Sequence, residues 1–151
     1  EDRIVEALYT AAGIGQIIAH RASISGAFGG CQAEIGSASA MAAGALVHLQ
    51  DGSSTEICYA VAIALKNLLG LTCDPIGGLV EVPCVKRNAI GAINAVVAAD
   101  MVMAGISSVV PADEVIDVMG EIGNAMSPKY RETAEGGLAT CPTGLDITKR
   151  L

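Results

Sequence analysis

The sequence predicts an all-α fold: a compact bundle of about five helices, with a cysteine-bearing loop and an irregular C-terminal tail. Three observations predict it. Apolar residues recur at i+3 and i+4 spacing over five separate stretches, the period of a helix face. Aromatic residues make up only 3% of a chain that is 52% hydrophobic, so the core must be built from Ala, Val, Ile, Leu and Met, with 18 glycines among them. Small residues let helix axes approach closely, which suits packed helices better than an aromatic-filled sandwich. No run alternates convincingly as a sheet strand would, and 151 residues are enough for one domain with its own core.

In the first helix, Ile4, Leu8, Ala11, Gly15 and Ile18 form one face that ends near His20. The small residues of "ASISGAFGG" then make a loop. A second, Ala-rich helix is expected over residues 31–49, stopped by Asp51 and Gly52. Ser53 and Glu56 have the spacing of a capping box and start the third helix. Its stripe is Cys58, Val61, Ala62, Leu65 and Leu69, with Gly70 where a C-terminal cap glycine belongs. On that stripe Cys58 is read as a small buried hydrophobe. The loop "LTCDPIGGLVEVPCVK" follows, in which Pro83 and two glycines limit "LVEV" to an edge strand at most. The fourth helix takes Ile90, Ile93, Val97, Met101 and Ala104 on one face. Pro111, Asp113 and Glu114 favour the first turn of the fifth, whose stripe is Val115, Met119, Ile122 and Met126. The tail "GGLATCPTGLDITKRL" has little periodicity and is expected to wrap the surface.

A net charge of −7 argues against nucleic acid, which requires a basic face, and no Lys/Arg cluster offers itself to an anionic membrane. The most apolar segment, residues 89–110, carries Asp100 near its middle. An Asp at a bilayer centre costs roughly 2.5–3.5 kcal/mol, so a buried helix is the better reading. The five cysteines (Cys31, Cys58, Cys73, Cys84, Cys141) are odd in number and scattered, unlike the dense framework of a secreted scaffold. With no secretory leader and no Asn-x-Ser/Thr, a reducing cytoplasm is the expected compartment. The chain opens on Glu1 straight into helical pattern and is expected to be a piece of a longer protein.

Cys31, Cys73 and Cys84 each lie at a predicted helix boundary, in "FGGCQ", "LTCDP" and "VPCVK". Thiolates favour such places because backbone N–H groups and helix N-termini stabilise negative sulfur. Neighbouring glycines admit a bulky inorganic group, and Pro75 and Pro83 restrain the chain. Soft thiolates select zinc, copper(I) or iron–sulfur clusters. A structural zinc site usually takes four ligands in close pairs, and no C-x-x-C occurs here. Three thiolates can hold a four-iron cluster and leave one iron open as a Lewis acid. On spacing alone, a metal role and scattered buried thiols both remain open.

The segments "GGCQAEIGSASAMAAGAL", "LKNLLGLTCDPIGGLVEVPCVKRNAIGAINA" and "YRETAEGGLAT" resemble the bacterial iron–sulfur L-serine dehydratases, specifically the C-terminal part of their catalytic alpha chain. The resemblance spans nearly all of residues 1–151. It implies an all-α domain and a [4Fe–4S] cluster on the cysteines that match Cys31, Cys73 and Cys84. It further implies conversion of L-serine to pyruvate and ammonia without pyridoxal phosphate, the open iron acting on the serine hydroxyl. The implied partners are L-serine, the remainder of the alpha chain and a beta chain or domain, within an oligomer. Arg87 and Asn88, close after the last of the three cysteines, are candidate substrate-side groups. No residue of this chain is assigned as the base. Two rival functions stand beside this one: a non-catalytic helical module with zinc on three cysteines and one further ligand, and a related cluster-dependent hydro-lyase acting on another hydroxy acid.

Cys141 sits in the poorly patterned tail and is a candidate regulatory thiol that would cap the open iron; an ordinary packed or exposed thiol is the alternative. His20 and His48 both fall at predicted helix ends, where a cation satisfied by the helix dipole explains them. "SGAFGGCQAE" lacks the Gly-Lys-Ser/Thr of a nucleotide loop, so its backbone fits a cluster or a carboxylate better.

Overall fold

A computed structural model describes residues 1–151 and is all-α. Five long helices correspond to the five predicted: α1 (Asp2–Arg21), α3 (Ser37–Leu49), α4 (Ser54–Lys66), α5 (Cys84–Met103) and α6 (Ala112–Ala125). Two short ones, α2 (Gly26–Gly29) and α7 (Pro142–Thr148), lie in the segments read as loop and tail. The only strand-like pairing is an isolated bridge between Cys73 and Arg131, and "LVEV" folds as turns. No helix is long and apolar enough to cross a membrane.

The centre of the bundle is α4, buried without interruption from Ala60 to Leu65 and packed against α3, α5 and α6. Its start is the predicted capping box: the Glu56 amide donates to Ser53 Oγ at 3.3 Å, and the Ser53 amide donates to Glu56 Oε2 at 2.7 Å. Together these satisfy two amides that the first turn leaves without helical partners. The helix ends at Lys66, and Gly70, at φ +82, turns the chain into the cysteine loop. Cys58 is a correction: it is exposed, on the flank of α4.

The faces of α1 and α5 also differ from expectation. On α1, Ala7, Gly15 and Ile18 are buried, whereas Ile4 and Leu8 point to solvent. On α5 the buried stripe is Gly91, Ala95, Ala98, Ala99 and Val102, and the larger Ile90, Ile93, Val97 and Met101 are exposed. The reason is close approach. A Cβ on Gly91 would come within 2.7 Å of Ile35 Cγ2, so only the small-residue side of α5 fits against the neighbouring segment. A polar stitch fixes that approach: Asn94 donates to Ser39 Oγ at 2.8 Å and to the Ala64 carbonyl at 3.0 Å, while Ser39 donates to the Gly91 carbonyl at 2.8 Å. One Asn thereby ties α3, α4 and α5 together.

The second predicted helix begins differently too. Residues 31–49 are not one α-helix: a wide π-helical turn, Gln32–Gly36, precedes α3. Such turns bulge the backbone and are frequent at functional sites. Here it carries Cys31 at its N-cap.

Candidate metal centre

Away from the helical core lies a second, smaller buried group formed by Cys31, Ile35, Cys73 and Cys84, flanked by Leu68 and Leu71. Three different local devices deliver the three thiols. Cys31 follows Gly30, whose φ of +75 lets the chain reverse where a Cβ would strike the Leu71 carbonyl. Gln32 then anchors the turn: its side chain donates to the Met119 carbonyl at 3.0 Å and accepts from the Gly70 amide at 2.9 Å. Cys73 is held through its backbone, donating to the Tyr130 carbonyl at 2.8 Å and accepting from the Glu132 amide at 2.9 Å. Cys84 is the first residue of α5, just after Pro83.

A buried ion pair braces these segments. Arg87 donates to Asp74 Oδ1 at 2.8 Å and to the Thr72 carbonyl at 2.8 Å, and its Nη1 stands 3.9 Å from Cys31 Sγ. The Asp74 side chain is 6% exposed and that of Arg87 21%. The other Asp74 oxygen accepts from the Leu138 amide at 2.8 Å, which draws in the chain after "YRETAEGG". Gly137, at φ +60, lies so close to that carboxylate that a Cβ would collide with it. One carboxylate thus joins the cysteine loop, the α5 start and the tail.

Two further carboxylates face the thiols. One oxygen of Glu34 and the sulfurs of Cys31 and Cys73 all lie within 4.8 Å of one another. Glu34 Oε2, Cys73 Sγ and Glu132 Oε2 converge on Gly26, at 3.0, 3.3 and 3.5 Å from where its Cβ would stand. The glycine leaves that space to them. Burial, and then the neighbouring Cys31 thiol, push the pKa of both Cys73 and Cys84 upward; Glu132 adds to the effect on Cys73, and Arg87 opposes it on Cys84. Both thiols therefore keep their protons at neutral pH unless a cation takes the place of those protons.

The candidates read from sequence separate cleanly. Cys31, Cys73 and Cys84 come together, and Arg87 joins them. Asn88 does not: it is exposed, and its side chain donates to the Cys84 carbonyl of its own helix at 3.0 Å. Cys141 stands outside the thiol group, at the N-cap of α7, where its sulfur accepts from the Gly144 amide at 3.3 Å. His20 is exposed in the last turn of α1, and His48 meets Thr10 Oγ1 at 3.0 Å. Sequence reasoning missed Glu34, Asp74 and Glu132. Their signals were present: Glu34 lies one helical turn after Cys31, Asp74 adjoins Cys73, and Glu132 falls inside "YRETAEGG". A cleft of about 630 Å³ is lined by Arg21, Ser23, Phe28, Asp117 and Asn124, and none of the three cysteines borders it.

The sequence profile of the family described as serine dehydratase alpha chain matches residues 1–139. The probable L-serine dehydratase alpha chain of Bacillus subtilis (strain 168) is 56% identical over 150 residues, covering 99% of this chain and 50% of the relative. The L-serine dehydratase alpha chain of Peptoniphilus asaccharolyticus is 54% identical over 140 residues, 93% of this chain and 48% of the relative. The probable alpha chain of Latilactobacillus sakei is 51% identical over 150 residues, 99% of this chain and 72% of the relative. The chain thus spans about half the length of the first and second of these relatives.

Proposed function

Because the chain belongs to the serine dehydratase alpha chain family, we propose that it is the cysteine-bearing part of an iron–sulfur L-serine dehydratase, which converts L-serine to pyruvate and ammonia. The observation that carries this reading is the gathering of Cys31, Cys73 and Cys84, far apart in sequence, into one buried group beside Arg87. The donor set fits the implied [4Fe–4S] group: three soft thiols, flanking glycines without side-chain bulk, and a cation to offset negative sulfur. Bound there, the cluster would supply a Lewis-acid iron that makes the serine hydroxyl a better leaving group.

The chain's own residues do the rest of the work assigned to this part. Arg87 stabilises ionised sulfur through its charge at 3.9 Å, and Asp74 fixes the guanidinium so that this charge cannot swing away. Leu68, Leu71 and Ile35 keep water from the inner side of the thiols. Glu34 and Glu132 give the outer side an anionic rim, which would orient the ammonium of an amino acid toward it. Loss of the α-proton and of water from serine leaves an enamine that hydrolyses to pyruvate and ammonia. The partners that go with this reading are the rest of an alpha chain and a beta chain or domain, in an oligomer, in the cytoplasm. The exposed apolar residues of α5, among them Ile90 at 64% and Ile93 at 62%, support a covered face in that assembly.

Anaerobic reconstitution with iron and sulfide tests the proposal. The expected product is brown, bleached by oxygen, with iron and sulfide in near-equal amounts. Zinc in place of iron in the freshly isolated protein, with no cluster formed on reconstitution, would favour the non-catalytic module. Assay of the full-length protein for pyruvate, with L-serine against other β-hydroxy amino acids and hydroxy acids, separates this substrate from those of a related hydro-lyase.

A further inference from the structure

The outward side of α5 carries a pattern that packing against α3 and α4 does not use. Lys86, Ile90, Ile93, Val97 and Asp100 follow one another at alternating four- and three-residue spacing, and all are exposed. On a helix of 3.6 residues per turn that spacing keeps them on one stripe, opposite the buried Gly91, Ala95, Ala98 and Val102. We infer that this stripe is a contact surface for a second copy of the same chain, the two α5 helices lying antiparallel across a two-fold axis at Ile93.

Three observations support this. The first is apolar continuity. Val85, Ala89, Ala92, Val96 and Met101 flank the stripe and are exposed as well. Between Lys86 and Asp100 the only charged residue is Arg87, which turns inward to Asp74. A contiguous apolar surface of this kind marks an interaction site. The second is charge. The stripe is basic at one end and acidic at the other, and neither Lys86 nor Asp100 joins an ion pair within the chain. The third is symmetry. Ile93 stands midway between them, so a two-fold axis there sets each Lys86 against the partner's Asp100. The same axis places Ile93 on itself, Val97 against the partner's Ala89 and Met101 against the partner's Val85, larger side chains against smaller ones. A parallel pairing would instead stack Lys86 on Lys86 and Asp100 on Asp100, and like charges set together oppose association. An unrelated partner requires no such palindrome; a second copy does.

Because α5 starts at Cys84, the contact holds the helix that presents Cys84 and Arg87. It also sets the two copies' metal centres at opposite ends of the paired helices, on the order of 27 Å apart along the axis, as separate sites. The inference specifies the oligomer named in the proposed function without depending on its reaction.

A cross-link at the axis is the test, made in the full-length protein and in the 151-residue chain. The background is Cys58→Ser, which removes the exposed cysteine and sets the blank. In it, Ile93→Cys should join to itself through a short bis-maleimide and run as a covalent dimer on a denaturing gel. Ile4→Cys, at a similarly exposed position on α1, should give at least about fivefold less. Lys86→Asp should lower the Ile93→Cys cross-link at least about threefold at low salt, and adding Asp100→Lys should restore it. All these positions are exposed, and circular dichroism checks that each variant folds. No excess of Ile93→Cys over Ile4→Cys overturns the inference, as does a charge-swapped double variant no better than the single one. Cross-linking in the 151-residue chain but not in the full-length protein also overturns it, because another segment then covers α5. Anaerobic reconstitution of the same preparations separates the two readings. Cluster formation without the cross-link sinks this inference alone, and the cross-link without cluster formation sinks the dehydratase reading alone.

Discussion

The two buried groups of this molecule are held together by different physics. The larger one, around Ile18, Val47, Leu65, Val102 and Met119, is formed by five helices and is almost wholly aliphatic. Its members need nothing from each other but shape, so each contributes through area removed from water and through close packing. The smaller one places three thiols from three chain segments side by side, with a buried Asp–Arg pair against them. There the groups disfavour one another's ionised forms, and the polar backbone contacts of Gln32, Cys73 and Asp74 hold them in place. A packed core tolerates exchange of like for like, whereas a site of this kind depends on particular donors and acceptors.

The largest effects should come from breaking each group in its own way. Leu65→Ala removes a fully buried side chain from the centre of α4 and should cost about 2–5 kcal/mol in denaturant unfolding, through lost burial and the cavity left behind. Iron uptake at the thiols should survive in whatever fraction remains folded. Asp74→Ala should cost about 3 kcal/mol by leaving Arg87 half-buried and unpaired. It should also loosen the chain around Leu138, seen as faster amide exchange there, and reduce iron and sulfide retention. If Asp74→Ala destabilised the protein yet left retention intact, the brace would belong to the core and the contrast would fail.

Sequence legibility follows the same divide. The helix α4 was readable because its signals are local: Ser53, Glu56 and an apolar stripe lie within a few turns of one another. The thiol group was readable in its members, from their loop context and the family resemblance. Its bracing was not, because Asp74 takes its role from Leu138, 64 positions away, and an isolated Asp beside a Pro looks like any loop residue. The face of α5 was misread for a related reason. Periodicity finds two apolar stripes there, one large and one small, and only the backbone approach at Gly91 decides that the small one goes inside. Cys58 was misassigned likewise, since its place on a stripe says nothing about how far the neighbouring helices wrap around it.

Single-cysteine variants sharpen the contrast at smaller cost. Cys73→Ser should abolish cluster retention after anaerobic reconstitution, because the remaining two thiols cannot replace the lost ligand. Cys58→Ser, at an exposed position, should leave both retention and stability within about 0.5 kcal/mol and a small fraction of wild type. Equal losses in the two variants would remove the division between site and surface cysteines. The pH dependence has a definite sign. Burial raises the Cys73 and Cys84 thiols above their usual 9.0, so below that value folded and unfolded chains carry the same protons and the full stability is present. Above it the unfolded chain ionises first, and the metal-free protein should lose stability as the pH climbs. Cys73→Ser should flatten that alkaline fall in urea midpoints measured from pH 8 to pH 10.

The smallest effect lies in the capping box at the start of α4. Ser53→Ala removes the oxygen that accepts the Glu56 amide and frees Glu56 from its contact with the Ser53 hydroxyl. The expected cost is about 1 kcal/mol in urea unfolding. The Glu56 carboxyl, whose pKa is held below the usual carboxylate range by the Ser53 amide and then the Ser53 hydroxyl, should move part of the way back up once the hydroxyl is gone. A depressed carboxyl contributes stability above its unfolded value and loses it on acidification. The difference between wild type and Ser53→Ala should therefore shrink as the pH falls through the acid range. Iron uptake at the thiols should not change, because the cap lies at the start of α4, whereas Leu68, just past its C-terminal end, is the residue that packs on the cysteines. A cap variant that altered metal uptake would show that the two groups fold and loosen as one unit.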